Sequence, residues 1–560
     1  MPTDPPPGRM PPLARAARAR VQMETSAGRP VPWDDAAERF DGAAPRTFSR
    51  RDVLKLGGAA AAGFGLATVP AAGAASAIGS PEVVVVGAGL GGLTAAYRLA
   101  QAGVRVRLYE ARDRVGGRCW TARGFADGQH AEHGGEFIDT RHVHLRQLVH
   151  ELELELEDLW AGWEGGTSPN YFDGAFLRRP DLREALEPIT TAVVREARRI
   201  GVIEQGRPPN DRAISHGTAT HAAIELDQLS MADWLEEKFP GAVDTQIGGW
   251  LNAVMQSWYG LGLQQLSALS LIDFFVIPYP GGDERYHVLG GNDLVARRLE
   301  HRLGQIVRLE RPLEAVVRRS NGSLELSFGG RHLPVRADLL VLALPFTVLR
   351  EVDLSRARLR DGTMRAIAHL GMGTNAKVLL QYTSRFHEMT TVDDAPFSSV
   401  LLRDHPTLGT WESSTNQHGD SGLLTVYSGG RTGAVLWASA VPHGPGEQPL
   451  VDDTVGQIDE VVPGSGDRFN GTAWVDWWAG DPWVRGSYAA FLPGQVTRLW
   501  HNVGPADGSV HFAGEHTSTY SQGFLNGGVE SGNRAAIEIL RRLGLPVPRR
   551  IARLPYSTFT

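Results

Sequence analysis

The chain has 560 residues, with 66 glycines, 34 prolines, one cysteine and a formal net charge of −7. Its length allows several domains, and its composition is that of an ordinary soluble globular enzyme. The acidic balance excludes a nucleic-acid-binding protein, which needs a positively charged surface. Because Cys119 is the single cysteine, an intramolecular disulfide and a cysteine-based metal cluster are also excluded.

The N-terminal segment has the pattern of an export signal. Residues 1–48 are rich in Pro, Ala and Arg and lack apolar periodicity, which predicts a disordered region. In residues 49–77, paired arginines precede a weakly apolar Ala/Gly run and a small-x-small cleavage site, a pattern that resembles a twin-arginine signal peptide. The run contains Pro70 and many glycines, so no stable membrane span is expected. We therefore predict a periplasmic, envelope-associated or secreted protein.

A dinucleotide-binding pattern begins at residue 82. A short β-branched run enters the sequence GAGLGG, a helical pattern follows from 93 to 102, and a second strand over 104–109 ends at Glu110. In such a pattern Gly87 makes the tight turn, Gly89 lets the pyrophosphate approach the backbone, and Gly92 permits close helix–strand packing. The helix N-terminus then faces the phosphates, and Glu110 is placed to accept hydrogen bonds from a ribose.

The next stretch, RVGGR at 114–118, resembles the flavin-containing amine oxidase family. The resemblance continues in VHFAGE at 510–515 and in GFLNGG at 523–528, which precedes a helix predicted to about residue 543. Residues 313–317, 324–328 and 339–344 predict a three-stranded meander, as in that family. The resemblance implies an α/β, two-domain flavoprotein. It has a Rossmann-like FAD-binding domain of the GR2 type and a mixed α+β substrate domain.

This layout predicts alternating segments. The FAD-binding domain takes residues 80–150, 286–349 and 474–545. The substrate domain takes 151–285, which is mainly helical, and 350–473, and residues 546–560 are a C-terminal tail. The resemblance implies FAD-binding roles for sixteen positions, which are Gly87, Gly89, Gly92, Glu110, Arg112, Gly117, Arg118, Gly135, Glu136, Phe137, Val316, Trp483, Gly514, Glu515, Phe524 and Leu525.

Lys377 is a candidate catalytic residue. It lies in a turn that runs into an apolar strand, where a buried ammonium is costly unless it has a function. The chain has 53 arginines and only three lysines, which suggests a task that a guanidinium cannot perform. The position matches the family's lysine, which holds a water at flavin N5 and assists the reaction with dioxygen. A snorkelling lysine at a strand end is the alternative.

A tryptophan-rich segment, 474–488, follows. The resemblance aligns Ser487 with the cysteine that links flavin covalently in some monoamine oxidases, which implies non-covalent FAD here. Tyr488 and Phe524 match the two rings that flank the substrate amine, and they are candidate catalytic residues. Trp478 is a candidate substrate contact. Aromatic residues at such spacing also occur as ordinary core.

Residues 131–139 bear on the substrate. L-amino-acid oxidases tend to place an arginine at the position of Phe137, where it clamps the α-carboxylate, and a phenylalanine cannot do so. Polyamine oxidases place an acid at the position of Asp139, which is either a substrate contact or the N-cap of the next helix. Arg141 is another candidate ligand for a substrate carboxylate, from a different direction, so an amino-acid substrate stays open. The nearby histidines match no metal-ligand spacing, and no metal is predicted.

The function predicted is oxidative deamination of an amine, with FAD as cofactor and dioxygen as acceptor, to give a carbonyl compound, ammonia and hydrogen peroxide. Alternatives are an L-amino-acid oxidase that makes a 2-oxo acid, a flavin dehydrogenase or desaturase with another acceptor, and a flavin-binding protein without turnover. The predicted partners are a small-molecule amine, dioxygen and the twin-arginine export machinery. The sequence leaves a homodimer open.

Overall fold

The structure, a computed structural model, describes residues 81–555 with internal gaps. The gaps are 160, 162–169, 173, 205–208, 278–282, 331, 386–390, 393–394, 397–400, 403–408, 436, 439–440, 501 and 519. The predicted disordered region and the predicted twin-arginine segment lie outside the described residues. The predicted C-terminal tail is described as far as residue 555, and it contains a short helix, Arg549–Ala552.

A five-stranded parallel sheet is built from distant parts of the chain. Its strand order is β22-β13-β1-β2-β9. The strands are β1 (Val83–Val86), β2 (Val106–Tyr109), β9 (Val307–Arg308), β13 (Leu339–Leu342) and β22 (Val510–Phe512). All four residues of β1 are buried valines, as expected of a central parallel strand. This parallel sheet, with helices packed against it, is the α/β layer expected on the predicted cofactor side.

Helix α1 (Leu90–Gln101) follows β1 after the glycine turn and begins three residues earlier than the sequence predicts. It ends at Gln101, and Gly103, just after the C-cap Ala102, has a φ of +77° in the left-handed region typical of a helix C-terminus. Helix α14 (Leu525–Arg542) packs against α1, and a Cβ on Gly532 would lie 2.3 Å from the carbonyl oxygen of Gly91. Helices from the two ends of the described chain therefore pack in close contact at their glycine residues.

The predicted meander needs a correction in its third strand. The antiparallel sheet consists of β10 (Leu313–Arg318), β11 (Leu324–Phe328) and β12 (Val335–Ala337). The apolar run at 339–342 is instead β13, which pairs in parallel with β1. Since all four of its residues are buried, it suits the centre of the parallel sheet and not the edge of a small meander.

An eight-stranded sheet forms the second large layer, with the order β20-β21-β14-β19-β18-β17-β6-β7. Its strands are β6 (Asn170–Phe172), β7 (Ala175–Leu177), β14 (Ala376–Tyr382), β17 (Leu401–Leu402), β18 (Gly409–Glu412), β19 (Gly422–Ser428), β20 (His443–Gly444) and β21 (Phe469–Trp477). Strand β21 runs through the predicted domain boundary between residues 473 and 474. The run to residue 477 pairs with β14 along its length, so residues 474–477 belong to the eight-stranded sheet.

Short strands complete the sheets: β3 (Thr121–Ala122) with β4 (Ala131–Glu132), β5 (Leu156–Asp158) with β8 (Tyr286–Val288), and β15 (Thr391–Val392) with β16 (Ala395–Pro396). The other helices are α2 (Val143–Glu151), α3 (Arg179–Arg199), α4 (His221–Asp227), α5 (Met231–Lys238), α6 (Gln246–Tyr259), α7 (Leu269–Phe275), α8 (Leu294–Leu303), α9 (Phe346–Leu349), α10 (Asp361–His369), α11 (Gly430–Val435), α12 (Gln448–Val461), α13 (Val496–Leu499) and α15 (Arg549–Ala552). Within the described ranges, none of these helices combines the length and the apolarity that crossing a membrane requires.

Candidate active site

A cavity of about 450 Å³ lies between the parallel sheet and the eight-stranded sheet. It is lined by the glycine turn after β1, the loop after β2, the N-terminus of α14, and side chains of β14, β18 and β19. One end is therefore built from the predicted dinucleotide-binding elements and the other from the substrate domain.

The glycine turn has the geometry that a bound phosphate requires. Gly87 has a φ of +98°, and a Cβ on Gly92 would lie 1.8 Å from the carbonyl oxygen of Gly87, so the helix and the turn touch through backbone. Gly89 differs, because a Cβ there meets nothing within 4 Å. Gly89 lines the cavity and is the N-cap of α1, with no side-chain cap. The helix N-terminus is thus open to an anion.

Glu110 follows β2 and lines the same end of the cavity. Its carboxylate accepts hydrogen bonds from the backbone N–H of Ala88 at 2.6 Å and of Arg112 at 3.0 Å. Burial raises the pKa of Glu110 and these two bonds oppose the shift. Arg112 also lines the cavity, and its guanidinium pairs with Asp481.

The double-glycine loop and the segment after β22 meet across the cavity. Gly117 and Gly514 both have positive φ, of +58° and +122°, and both line the cavity. Arg118 donates to Glu515 at 3.1 Å and to the carbonyl oxygen of Ser487. Glu515 also accepts from the N–H of Gly523 at 2.8 Å. In its predicted FAD-binding role, Glu515 would therefore share its carboxylate with protein donors already in place.

The N-terminus of α14 is the second open helix end. Phe524 is its N-cap without a side-chain cap, and Phe524, Leu525 and Gly528 line the cavity. Gly135 lies against it, because a Cβ there would be 2.6 Å from the Leu525 side chain. Such a terminus provides a positive partial charge toward the cavity.

Three predicted site residues, Gly92, Val316 and Asp139, do not line the cavity, and of these Gly92 has the close backbone packing predicted for it. Val316 is 1% exposed and packs in the core, whereas Arg311 and Leu313 of the same segment line the wall. The position of Val316 therefore does not support its predicted FAD-binding role, and Leu313 lies in the wall instead. Val316 instead packs in the core together with its register partner Leu326, which is fully buried.

Asp139 is the other correction. It is 1% exposed, away from the cavity lining, and its carboxylate accepts from the N–H of Glu284 at 2.7 Å. Burial raises its pKa to about 7, although the bond from Glu284 opposes the shift. The N-cap of α2 is His142, without a side-chain cap, so the predicted cap role of Asp139 is wrong. Its predicted substrate contact has no support in the cavity wall. Its role is to fix the backbone of Glu284.

Lys377 lies in β14, and its ammonium reaches into the loop after β4. It donates to the carbonyl oxygens of Glu132 at 3.0 Å and Gly134 at 2.8 Å, and to Oε2 of Glu136 at 2.7 Å. All three ammonium hydrogens thus have protein acceptors in reach. Burial alone raises the pKa of Glu136, but Lys377 and the hydrogen bonds to the carboxylate hold it below its ordinary value. The snorkelling alternative is excluded, since Lys377 is 4% exposed.

Aromatic rings form much of the substrate side. Tyr488, Phe524, Phe137, Trp411 and Tyr427 all line the cavity. The Tyr488 hydroxyl lies 3.2 Å from that of Tyr427 and 3.0 Å from the Trp258 carbonyl oxygen. The Phe137 ring centroid lies 5.7 Å from that of Trp411, whose indole N–H donates to Glu136 at 2.9 Å. These rings surround the Lys377–Glu136 pair with apolar surface.

Trp478 and Trp483 also line the cavity, as predicted contacts of substrate and cofactor. Trp478 is 4% exposed, and its indole N–H donates to the carbonyl oxygen of His133 at 3.0 Å. Trp483 is 37% exposed and lies at the rim.

Two carboxylates on the substrate side, Asp273 and Glu284, were missed by the sequence reasoning. Both line the cavity, and the Tyr259 hydroxyl donates to Asp273 at 3.0 Å. The charge of Glu284 adds to the effect of burial, which raises the pKa values of Tyr427 and Tyr488. No local pattern marks Glu284, which lies in an irregular segment. The contact that places it comes from Asp139, 145 residues earlier.

These residues fit an FAD. The backbone cradle at Gly89, the buried acid Glu110 and two uncapped helix ends match the pyrophosphate, a ribose and a flavin edge that develops negative charge. Among the described residues, no group of three or more His, Cys, Asp or Glu side chains is arranged to hold a metal ion.

The chain belongs to the flavin-containing amine oxidoreductase family, whose model matches residues 90–540. It is 26% identical over 491 residues to the dog (Canis lupus familiaris) amine oxidase [flavin-containing] A, covering 83% of this chain and 85% of the relative. It is 25% identical over 483 residues to an L-amino-acid oxidase of Siganus canaliculatus, covering 82% and 85%. The protein is thus a flavin-dependent oxidoreductase that acts on amines.

Solved structures share this fold. Cyclohexylamine oxidase from Brevibacterium oxydans superposes with a TM-score of 0.67 at 22% identity, covering 83% of this chain and all of that one. A putrescine oxidase bound to putrescine gives 0.66 at 21% identity, covering 82% and 99%. At such identities the likeness establishes the architecture and leaves the substrate open.

Proposed function

We propose that the protein is an FAD-dependent amine oxidase whose substrate lacks an α-carboxylate. The observation that carries this proposal is the charge distribution on the cavity wall. Among the described lining residues, the three arginines, Arg112, Arg118 and Arg311, belong to cofactor-side segments. The substrate side presents Asp273, Glu284 and the Lys377 ammonium, which is already paired with Glu136. A carboxylate substrate meets two like charges there and no guanidinium clamp.

Arg141, which the sequence left open as a carboxylate ligand, supports the same proposal. Its guanidinium donates to the carbonyl oxygen of Tyr520 at 2.7 Å, and the residue is absent from the described lining. Phe137 occupies the wall instead, with its ring against Trp411.

Bound FAD supplies the two-electron chemistry, by which an amine becomes an imine that hydrolyses to a carbonyl compound and ammonia. The protein's part is to hold the amine and exclude water. Tyr488 and Phe524 provide apolar surface for an unprotonated amine, and the Tyr488 hydroxyl is kept in place by the Trp258 carbonyl oxygen. Burial raises the pKa of this hydroxyl, so it stays protonated.

Dioxygen is the proposed electron acceptor, with Lys377 assisting through a water. Because the ammonium already donates to three protein acceptors, that water must share one of its hydrogens. Since the Lys377 ammonium already makes all three of its hydrogen bonds, a second candidate is also favoured. It is a flavin dehydrogenase that passes its electrons to another acceptor. Reoxidation of the reduced enzyme by air, measured in a stopped-flow instrument, separates the two.

The FAD is proposed to be non-covalent. Ser487 donates to the Asn375 side chain at 2.7 Å, and a serine hydroxyl forms no thioether. The thiol of Cys119 donates to the Asn292 carbonyl oxygen at 3.3 Å, and burial raises its pKa well above the ordinary value, so no reactive thiolate is available. Acid precipitation followed by a flavin absorbance reading of the supernatant tests this point.

A peroxide-coupled screen of monoamines, diamines, polyamines and the twenty amino acids tests the main proposal. We expect turnover with amines and none with free amino acids. Peroxide release with amino acids and a 2-oxo acid product identifies an L-amino-acid oxidase instead. Purified protein that neither contains nor takes up FAD contradicts both.

We also propose export by the twin-arginine pathway, which carries folded proteins and so suits a chain that captures its cofactor in the cytoplasm. The support is the sequence of residues 49–77, with its paired arginines. Replacement of Arg50 and Arg51 by lysine is expected to retain the protein in the cytoplasm, as measured by fractionation. Light scattering of the purified protein decides whether it forms a homodimer.

A further inference from the structure

Five polar side chains form a continuous hydrogen-bonded chain beside the cavity. It begins at Arg112, whose guanidinium pairs with Asp481. Oδ2 of Asp481 lies 2.8 Å from Nε2 of His443, whose Nδ1 lies 2.8 Å from Oδ1 of Asp476. Oδ2 of Asp476 lies 2.9 Å from Nδ1 of His133. The first and last members line the cavity.

This hydrogen-bonded chain begins and ends in cofactor-side loops and passes through the eight-stranded sheet between them. Arg112 and His133 lie in the loops after β2 and β4, whereas His443 and Asp476 are register partners in β20 and β21 of the eight-stranded sheet. His443 therefore links the edge of one sheet to the loop that follows a strand of the other.

His443 is held as an imidazolium. Both of its ring nitrogens face carboxylates at 2.8 Å, so both must carry a proton to donate. Burial alone lowers the pKa of His443, but hydrogen bonds to Asp476 and Asp481 give a net rise.

Acidic and aromatic side chains surround the His443 ring. Asp476 and Asp481 face it directly, and His133 and Arg112 stand one step further along the chain. The rings of Trp478 and Trp120 cover it at centroid distances of 4.5 and 5.4 Å, and the Arg114 guanidinium stacks over Trp120 at 4.2 Å.

Asp481 transmits the state of His443 to the cofactor end. One oxygen is shared between Arg112 and His443, and the other accepts from the N–H of Trp483 at 2.8 Å. Loss of the imidazolium proton removes one of these donors and one positive charge. The Arg112 side chain, 13% exposed in the cavity wall, then loses the fixed position of its partner.

We propose that His443 is a positioning residue for the cofactor, which as an imidazolium fixes Asp481 and through it the Arg112 guanidinium toward the diphosphate of FAD. The inference rests on the proposed function, because it requires FAD in this cavity. It predicts that FAD affinity depends on the charge of a side chain that lies outside the cavity lining.

A double-mutant cycle with the apoprotein tests the proposal, with the FAD dissociation constant from flavin fluorescence as readout. We expect His443→Gln and Arg112→Gln each to raise the constant at least about tenfold at pH 7. In the Arg112→Gln background, His443→Gln should add less than about twofold, since the two act in series. Equal factors in both backgrounds overturn the proposal, because His443 then acts independently of Arg112.

His511→Gln is the matched control. His511 is also a buried histidine paired with a carboxylate, Glu538 at 2.7 Å, but neither residue is among those that line the cavity. We expect its FAD dissociation constant to stay within about twofold of the wild type. A tenfold rise in this variant contradicts the proposal, since any buried histidine then has the same effect.

The wild-type pH profile keeps the proposal testable if His443→Gln does not fold. Affinity for FAD should fall as pH rises through the elevated pKa of His443, and Arg112→Gln should show no such dependence. A flat wild-type profile between pH 6 and 9 overturns the proposal. Wild-type protein that binds no FAD at any pH contradicts the proposed function itself.

Discussion

The ammonium of Lys377 and the carboxylate of Glu136 lie 2.7 Å apart with only 5% and 3% of their side chains exposed. The lysine comes from the central strand of the substrate sheet and the glutamate from a loop of the cofactor side, 241 residues earlier. This ion pair joins the two halves of the cavity at the place where the sequence predicts the chemistry.

Removal of one partner should destabilise the protein strongly. Lys377→Met leaves a buried carboxylate and Glu136→Gln leaves a buried ammonium, and each is expected to cost about 3–5 kcal/mol of unfolding free energy. The double variant should cost less than the sum of the two. Lys238→Met is the control, because Lys238 is 33% exposed and its surface pairs are worth at most about 1 kcal/mol. Additive costs in denaturant titrations contradict this reading.

Lys377→Met should also slow the reaction of the reduced enzyme with dioxygen. We expect a second-order rate constant at least about tenfold lower, since one tenfold step corresponds to 1.36 kcal/mol of lost transition-state stabilisation. Anaerobic reduction by amine should change less. An unchanged oxygen reaction in this variant favours the dehydrogenase candidate.

Two glycines of the phosphate turn should respond in opposite ways to alanine. Gly92→Ala places a Cβ 1.8 Å from the Gly87 carbonyl oxygen, and we expect misfolding or a large loss of stability. Gly89→Ala meets no atom within 4 Å, so the apoprotein should keep its stability within about 0.5 kcal/mol. The added methyl group faces the cavity, however, and FAD should bind at least about tenfold more weakly. Normal FAD affinity in Gly89→Ala places the cofactor elsewhere.

Glu284→Gln should alter the choice among amines. If Glu284 faces a second ammonium group of the substrate, its neutralisation is expected to raise the KM of diamines about 10-fold or more, since a hydrogen bond to a charged group is worth about 1.5–3 kcal/mol. Monoamines of equal length serve as the internal control and should change little. Equal effects on both substrate classes indicate a role in shaping the wall only.

The pKa of Asp139, which burial raises to about 7, predicts a pH effect on stability. A carboxyl whose folded pKa lies above its unfolded value of about 3.9 binds more protons in the folded state, so stability falls as pH rises from about 4 to 7. Asp139→Asn lacks this group. Relative to the wild type it should gain up to about 4 kcal/mol over that range, measured by denaturant unfolding at several pH values. A constant difference at all pH values contradicts the raised pKa.

Sequence spacing predicted those parts of the site whose residues lie close together in the chain. The strand, the glycine turn, the helix and Glu110 follow one another within 30 residues, and each has its own signature. The third meander strand was misplaced because an apolar run does not reveal its partner. Val316 was misplaced because its packing against Leu326 of β11 cannot be inferred from its own segment. Glu284 and His443 were missed because partners more than 30 residues away define them.

The packing of α1 against α14 has a consequence for biosynthesis. The Nε of Arg98 donates to the Asn533 side chain at 2.9 Å across 435 residues of chain. At about 5–20 residues per second, a ribosome needs roughly 20–90 s to make the intervening polypeptide. During that time the nascent β1–α1 unit has no partner for its glycine face, so we expect the dinucleotide to bind only after the whole chain has been synthesised.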